Sequence, residues 1–285
     1  MCLILFSWKS HPKYPLVVAA NRDEFYERDT SGIAWWEEKP HILAGRDRAD
    51  VQGSPGTWLG ITKTGRFSAV TNVRSASEKK PDARTRGELP LLFLSGEEKP
   101  KEFIQQHSKR FDAYNGFNLL MADLSNPEEA EMHWVSNRIL MGKSVRPRKS
   151  YSPQALNPGV YGLSNAMLDT PWPKVNHRIS IFAQTIAMDD GELKNADHYL
   201  RLLADPHEAP DQELPNTGVS PEWEKALSAA FIKTPHYGTR SSTVLRVRYD
   251  GTFEMVERRF DANGVVAHDV VTGGLIGSPW ANYSI

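Results

Sequence analysis

The order of strand and helix patterns along this 285-residue chain constrains its fold more than any other feature. Strand-like segments come in blocks, and helix-like segments come in blocks between them. A doubly wound parallel sheet needs strict alternation of strands and helices, so the order disfavours that architecture. Antiparallel sheets with helices packed outside them fit better. We therefore predict an α+β fold, a four-layer αββα sandwich of two antiparallel sheets between helix layers.

The predicted strands are short apolar or alternating runs that end at turn residues. They cover residues 3–8, 14–21, 56–61, 67–73, 117–123, 131–135, 159–164, 242–249 and 252–260. Asp250 and Gly251 join the last two and are a strong hairpin signal. Helical spacing covers 87–94, 101–111, 177–188, 196–203 and 221–231. No linker rich in Pro, Gly or Ser divides the chain, so residues 1–285 are predicted to form a single domain.

The composition is typical of a globular protein, with 40% apolar residues, 24% charged residues and a net charge of −1. A nucleic-acid partner requires a basic excess that this chain lacks. No apolar run approaches the ~20 residues of a membrane span, and no signal-peptide pattern is visible. A single cysteine rules out an internal disulfide and fits a reducing compartment. The predicted location is therefore the cytoplasm, while the oligomeric state stays open.

Cys2 is that single cysteine, and it directly follows Met1. Cysteine is small enough for methionine aminopeptidase to remove a preceding methionine. The released α-amine has an ordinary pKa near ~8 and the thiol near ~8.5, so one residue would supply both a base and a nucleophile. This is the logic of N-terminal-nucleophile amidohydrolases. The alternative is that Cys2 is an ordinary small residue at the start of a buried strand.

Polar groups follow at the end of the second predicted strand, in the order Asn21, Arg22, Asp23 and Glu24. A hairpin that begins at Cys2 brings that residue close to this segment. An arginine there would lower the pKa of the thiol, and a carboxylate would orient an ammonium group. A strand that simply enters a solvated turn would show the same residues.

Other candidate residues would stabilise an oxyanion or line a ligand pocket. Asn72 and Asn165 each end a predicted strand, where an amide NH₂ can donate to a developing negative charge, although asparagine is also ordinary turn chemistry. Tryptophans suit a flat or acyl ligand, and arginines suit propionates or phosphates. These pocket candidates are Arg46, Trp58, Trp172 and Arg240. Arg240 lies in segment 238–243, either a cradle for a carboxylate or phosphate or a plain hairpin loop.

The nine histidines show no zinc-type spacing, so no metal site is predicted. Covalent haem attachment is excluded because the chain has no C-x-x-C-H motif. Residues 143–149 are basic and are predicted to form a solvated loop.

Taken together, the motifs of this chain resemble those of the NRDE family, also known as the transport and Golgi organisation family. The resemblance runs from residue 1 to about residue 245, with the motifs in order. It rests on Met1-Cys2 and on segments 21–24, 56–60, 114–118, 161–165, 169–172 and 238–243. It implies an N-terminal-nucleophile hydrolase fold and a link to haem trafficking or to acyl-CoA and lipid metabolism.

A more distant resemblance is to the penicillin V acylase and bile salt hydrolase group. It implies that Asp23 matches the aspartate of an R-N-x-D segment, although the arginine is displaced to Arg22. Thr62 stands where that group has an oxyanion amide. Asn165 matches the other oxyanion donor, and Arg240 a late active-site arginine.

Two functions of different classes therefore remain open. In the first, Cys2 attacks an amide or thioester carbonyl of an acylated small molecule, its α-amine takes the proton, and Asp23 supports that end of the site. In this hypothesis Asn72 and Asn165 stabilise the oxyanion, and Asn21, Arg22 and the pocket residues bind substrate. In the second, the same cleft carries haem or an acyl-CoA without catalysis. No cofactor is required in either case, and haem would be cargo.

Overall fold

The computed structural model describes residues 2–48, 56–75, 80–126, 128–141, 144–193 and 196–277. Within these ranges the strands β1–β15 are, in order, Cys2–Trp8, Leu16–Phe25, Thr30–Trp35, Ile42–Asp47, Leu59–Thr62, Arg66–Asn72, Phe117–Asp123, Glu131–Ser136, Arg138–Met141, Ser144–Pro147, Gln154–Ala155, Gly159–Leu163, Tyr237–Val247, Thr252–Phe260 and Val266–Leu275. The helices α1–α5 are Glu88–Ser95, Pro100–His107, Pro173–Ala187, Asp197–Leu203 and Pro221–Ala226. Short 3-10 helices cover Ser108–Ala113 and Asp211–Glu213.

The first sheet has the strand order β12-β1-β2-β13-β14-β15, and every neighbouring pair is antiparallel. Helices α3 and α4 pack on its outer face. Alternate residues of its strands, such as Leu3, Leu5 and Val17, form a core with Phe182 and Leu203 of those helices. The strands β1 and β2 thus have one face committed to the helix layer.

The second sheet has the order β11-β8-β7-β6-β5-β4-β3 and is also antiparallel throughout. Helices α1 and α2 pack on its outer face, where Phe93 and Phe103 contact the buried side chains of Leu119 and Met121. Strands β9 and β10 form a two-stranded sheet of their own.

The inner faces of the two large sheets meet in the largest core, where Ile4, Phe6 and Val18 of the first sheet pack with Phe67 and Leu120 of the second. The layer order is therefore helix, sheet, sheet, helix, which confirms the predicted α+β sandwich. It also explains why all seven residues of β1 are buried, because both faces of this strand are covered.

Several predicted boundaries were wrong. Segment 238–243, interpreted as either an anion cradle or a hairpin loop, lies inside β13 and pairs with β2. The predicted helix 221–231 ends at Ala226, and the predicted helix 101–111 ends at His107 before a 3-10 turn. The basic segment 143–149 contains β10 and is not only a loop.

The Asp250-Gly251 turn between β13 and β14 is confirmed, with Gly251 at a φ of +84° that favours glycine. Within the described ranges, no helix combines the length and the apolar character that crossing a membrane requires.

Candidate functional site

Cys2 is the first residue of β1 and pairs with Arg22 of β2. Only 9% of the surface of Cys2 is exposed. The main-chain nitrogen of Cys2 donates to Asn165 Oδ1 at 3.4 Å, and its carbonyl accepts from Ser164 Oγ at 3.0 Å. The segment after β12 therefore holds the main chain of Cys2 from one side, while β2 holds it from the other.

Burial raises the pKa of the Cys2 thiol, because the thiolate would lose its hydration. The Asp23 carboxylate raises this pKa further, whereas nearby cations such as Arg22 and a main-chain hydrogen bond from Asp23 lower it. Burial is the largest of these effects. The thiol in this structure is therefore predominantly protonated at neutral pH, so the cations beside it do not by themselves produce a thiolate.

Asp23 lies behind Cys2 in a fully buried position. Its Oδ1 accepts from Thr239 Oγ1 at 2.7 Å, and its Oδ2 lies 3.9 Å from the ammonium of Lys174. The side chain of Lys174 is 1% exposed and that of Asp23 is 0% exposed. Burial raises the pKa of Asp23 and lowers that of Lys174, while each opposes the shift of the other. No motif in the sequence pointed to Lys174 in this role.

Asn165 is the residue that links Cys2 to the second sheet. Its Nδ2 donates to the carbonyl of Asn72 at 3.0 Å, and its own carbonyl accepts from the main chain of Arg74 at 2.8 Å. The structure thus brings Asn72 and Asn165 together beside Cys2, as the sequence suggested. The amide NH₂ of Asn165 is, however, already engaged by a peptide carbonyl.

Two further arginines near this site were missed at the level of sequence. Arg74 forms a buried ion pair with Glu224 at 3.2 Å, and its guanidinium lies over the ring of Trp172 at 4.5 Å. Arg86 donates to the carbonyl of Gly116 at 3.1 Å. Burial lowers the pKa of Arg86 to about 10, and the nearby Glu24 and Cys2 oppose that shift. Trp172 therefore contacts Arg74 and stands on the helix side of the first sheet.

A small cleft, with a volume of about 20 Å³ or room for about one water molecule, lies between the ends of the two sheets. We call it the arginine cleft, and it is lined by Arg22, Thr30, Ser31, Gly45, Arg46, Asp47, Trp58, Arg240, Ser241, Glu257 and Arg259. Among the described residues, the buried Nη1 of Arg22 has no hydrogen-bond partner. Cys2 does not line the cleft but lies on the neighbouring strand, as the register partner of Arg22. The arginines of the cleft suit an anion beside the thiol, but Arg22 Nη2 already pairs with Asp47 Oδ2 at 3.5 Å, and a ligand larger than water would require the cleft to widen.

Arg240 has a structural task in this cleft. Its Nη1 donates to the carbonyls of Phe25, Tyr26 and Arg28 at 2.8, 3.1 and 3.2 Å, and so holds the turn that follows β2. Burial lowers the pKa of Arg240, and the neighbouring charge of Arg22 lowers it further. Arg240, which was predicted to bind an anion, thus also stabilises the turn that follows β2, the strand that carries Arg22.

Arg240→Ala should lower the free energy of unfolding by about 1–2 kcal/mol, because three carbonyls lose a charged donor at a partly exposed position. Urea denaturation would measure it. Arg258→Ala is a matched control, because its salt bridge with Asp269 is on the surface and contributes about 0–1 kcal/mol. Equal losses of unfolding free energy in the two variants would contradict this structural role of Arg240.

Three predicted residues are not brought to Cys2 as expected. Asn21 is buried on the helix side, where Nδ2 donates to Leu203 and Ala230 carbonyls at 2.8 Å and Oδ1 accepts from Ser242 Oγ at 2.6 Å. Its hydrogen bonds hold the helix layer, so it does not face the cleft.

Thr62 and Arg46 also differ from expectation. Thr62 lies at the turn end of the β5–β6 hairpin, where its hydroxyl contacts that of Thr64 at 2.7 Å. Trp58 precedes the other end of β5, so four residues, or roughly 13 Å of strand, separate Thr62 from the cleft end. Arg46 lines the cleft, but its guanidinium forms a two-point salt bridge with Glu38 at 2.6 Å.

No group of three or more His, Cys, Asp or Glu side chains in the described part of the chain is placed to hold a metal ion.

A family model described as Transport and Golgi organisation 2 matches residues 1–262. The chain belongs to this family. The Transport and Golgi organization 2 homolog of Mus musculus is 32% identical over 269 residues, which cover 90% of this chain and 92% of the homolog. The Bos taurus homolog is 35% identical with the same coverage, and the Drosophila melanogaster protein is 27% identical over 271 residues, covering 90% and 91%. The family indicated by the ordered motifs is therefore confirmed.

Solved structures with similar chains include conjugated bile acid hydrolase from Clostridium perfringens. A variant of it has a TM-score of 0.45 and 10% identity, covering 95% of this chain and 92% of that one. An N-acylethanolamine-hydrolyzing acid amidase ortholog from Caenorhabditis elegans has a TM-score of 0.35 and 11% identity, covering 86% and 92%. The architecture of this Transport and Golgi organisation 2 family member is defined by its own strand order and layers, and these TM-scores add no argument to it.

Proposed function

We propose that this protein is a cysteine-nucleophile hydrolase that cleaves an amide or thioester bond of an acylated small molecule after Met1 has been removed. One observation carries the proposal. The main-chain nitrogen of Cys2, which becomes the α-amine on removal of Met1, lies 3.4 Å from Asn165 Oδ1 and on the same residue as the only thiol. A base and a nucleophile would thus be fixed together by an oriented hydrogen-bond acceptor.

In the proposed reaction, the neutral α-amine of Cys2 takes the thiol proton as Sγ attacks the substrate carbonyl carbon. The tetrahedral intermediate then collapses, the ammonium returns the proton to the leaving amine or thiol, and an acyl thioester on Cys2 remains. Water, deprotonated by the α-amine, attacks that thioester and releases a carboxylic acid. The thiol is regenerated, and no cofactor or metal takes part in these steps.

The buried Asp23–Lys174 pair supports this chemistry electrostatically. Asp23 would favour the ammonium form of the α-amine, and Lys174 balances the carboxylate at 3.9 Å. Asn165 can stabilise the oxyanion only if its Nδ2 exchanges the carbonyl of Asn72 for the substrate oxygen. Asn72 would offer a second donor from the adjacent strand end.

The arginine cleft would bind the anionic part of the substrate. Arg22 and Arg240 would contact a carboxylate or phosphate, and Trp58 would pack against an apolar or flat portion. Arg22 is the link between the two halves of the site, because it lines the cleft and pairs with Cys2. Arg46 and Trp172 would act indirectly, through Glu38 and Arg74 respectively.

The test compares two preparations of the same sequence, one that retains Met1 and one treated with methionine aminopeptidase, with intact mass as the check. Hydrolysis of a panel of N-acyl amides and acyl thioesters is expected only in the second. Cys2→Ala, processed in the same way, should lose activity by a factor of roughly 10³ or more, because the nucleophile is gone. Activity in the Met1-retaining protein, or in Cys2→Ala, would contradict the proposal.

A carrier of haem or an acyl-CoA is the second candidate, and three observations favour it. The NH₂ of Asn165 is occupied by Asn72 and the thiol is buried, while the arginine cleft is lined by four arginines and two carboxylates. Tryptophan quenching by haemin and by a long-chain acyl-CoA distinguishes the two functions. Binding that is tight in both wild type and Cys2→Ala, with no product in either, would support the carrier and displace the hydrolase.

A further inference from the structure

The β9–β10 hairpin stands apart from the two large sheets. Its strands pair only with each other among the described residues, in a register that places Arg146 opposite Ile139 and Val145 opposite Leu140. Its base is fixed, because Arg148 donates to the carbonyl of Asn137 at 3.0 Å and Asn137 itself is buried. The hairpin is therefore a ribbon anchored at one end.

Exposure rises along β9 away from that base. Arg138 is 3% exposed, Ile139 is 38%, Leu140 is 45% and Met141 is 64%. Neighbouring residues of a strand point to opposite faces, so both faces of the ribbon present large apolar side chains to solvent. Three consecutive exposed apolar residues on a projecting element indicate a surface that contacts something else.

The charge of the same segment identifies the kind of partner. Residues 138–150 contain five Lys or Arg and no Asp or Glu, although the whole chain has a net charge of −1; of these five, Arg138 is buried and Lys143 lies outside the described residues. Arg146 and Lys149 are exposed, and neither forms an ion pair with any described residue. At the base, Asp112 accepts from Tyr151 Oη at 3.2 Å. The exposed part of the ribbon is thus apolar and positively charged.

We propose that the β9–β10 hairpin docks on an anionic lipid bilayer surface. Ile139, Leu140 and Met141 insert at the level of the headgroups, and Arg146 and Lys149 contact lipid phosphates and carboxylates. A second copy of this chain would bring like charges together at the same ribbon and is disfavoured for that reason. The docking does not depend on the hydrolase or the carrier function.

The experiment is co-sedimentation of the full chain with vesicles of phosphatidylcholine alone and of phosphatidylcholine mixed with phosphatidylserine. Binding is expected only to the mixed vesicles and should weaken with added salt, because the charges are screened. Leu140→Ser/Met141→Ser should reduce the affinity by about tenfold or more through lost apolar burial. Arg146→Glu/Lys149→Glu should do so by about tenfold or more through charge.

Two control variants make the same kinds of change elsewhere. Met188→Ser/Val271→Ser removes side chains that are 79% and 58% exposed, and Lys101→Glu/Arg201→Glu reverses two exposed charges. Both should bind like the wild type, and all four variants should keep its thermal melting midpoint. Equal binding to both vesicle types, absence of binding, or an affinity unchanged by the hairpin substitutions would overturn the proposal. A concentration-dependent dimer lost in Leu140→Ser/Met141→Ser would overturn it too, in favour of a second copy.

Discussion

Asp23→Asn should lower the free energy of unfolding by about 3–5 kcal/mol, because it leaves the ammonium of Lys174 buried without its counter-charge. The side chain of Lys174 is 1% exposed, and its Nζ has no hydrogen-bond partner among the described residues. The carboxylate at 3.9 Å is thus its main compensation. Asparagine keeps the shape of the side chain, so the loss reports charge rather than packing. Urea denaturation would measure it.

Lys174→Met should cost a similar amount to Asp23→Asn. Burial raises the pKa of Asp23 and lowers that of Lys174, so in either single variant the remaining group can lose its charge. The double variant Asp23→Asn/Lys174→Met should be more stable than Asp23→Asn alone, because the uncompensated ammonium is removed. The coupling free energy from this cycle measures the pair directly.

Glu24→Gln is the matched control for Asp23→Asn. Glu24 is the next residue of β2, but it is partly exposed and its salt bridges with Arg22 and Arg28 are 3.8 and 3.7 Å long. Its substitution should change the stability by no more than about 1 kcal/mol. A loss as large as that of Asp23→Asn, or equal stabilities of the single and double variants, would contradict the role assigned to the pair.

The layers of this fold were predictable because the periodicity of apolar residues reports burial directly. Strand β1 is an apolar run interrupted only by Ser7, and it lies between a helix layer and a sheet. Strand β15 was missed because its first four residues are exposed, so no alternation marks it. Strand β4 was missed because its Ala44-Gly45 sequence resembles a turn. Gly45 lies instead against the carbonyl of Ser31 on β3, where a Cβ would be 3.2 Å from that oxygen.

The candidate site was predictable only in part, for a similar reason. Cys2, Asp23 and Asn165 are chemically distinctive residues at strand ends, and the hairpin geometry brings them together. Lys174 and Arg74 carry no local signal, because the burial of a charged side chain depends on which elements pack over it. Thr62 lies at the turn end of its hairpin rather than at the cleft end, which was not predictable because a motif match does not say which end of a hairpin faces the site.

Iodoacetamide should modify Cys2 of the Met1-retaining protein at pH 7 at least about tenfold more slowly than it modifies a short cysteine peptide. The thiolate is the reactive species, and burial raises the pKa of this thiol, so less thiolate is present at pH 7. The low exposure of the residue, 9%, slows the reaction further. Mass spectrometry of timed samples would measure the rate.

The pH dependence of the modification rate tests whether the raised pKa of the thiol causes the slow reaction. A raised pKa means that the rate should keep rising with pH through the range where the rate of the peptide levels off. Arg22→Leu should slow the modification further at pH 7, because it removes a cation that lowers the pKa. Arg258→Leu, three strands across the same sheet and paired with Asp197 of α4, should leave the rate unchanged. Concentrated urea should make all variants react like the peptide.

If iodoacetamide modified Cys2 in the folded protein as fast as it modifies the peptide, the thiol would be neither buried nor perturbed as the structure describes. Removal of Met1 then provides the decisive comparison on the same thiol, because it places a free α-amine on the residue that reacts. Faster modification after removal of Met1 would mean that this α-amine, as a base or as an ammonium, outweighs the effects of burial and Asp23 on the thiol. An unchanged slow rate would leave Cys2 as a buried strand residue and leave the arginine cleft to act as a binding site alone.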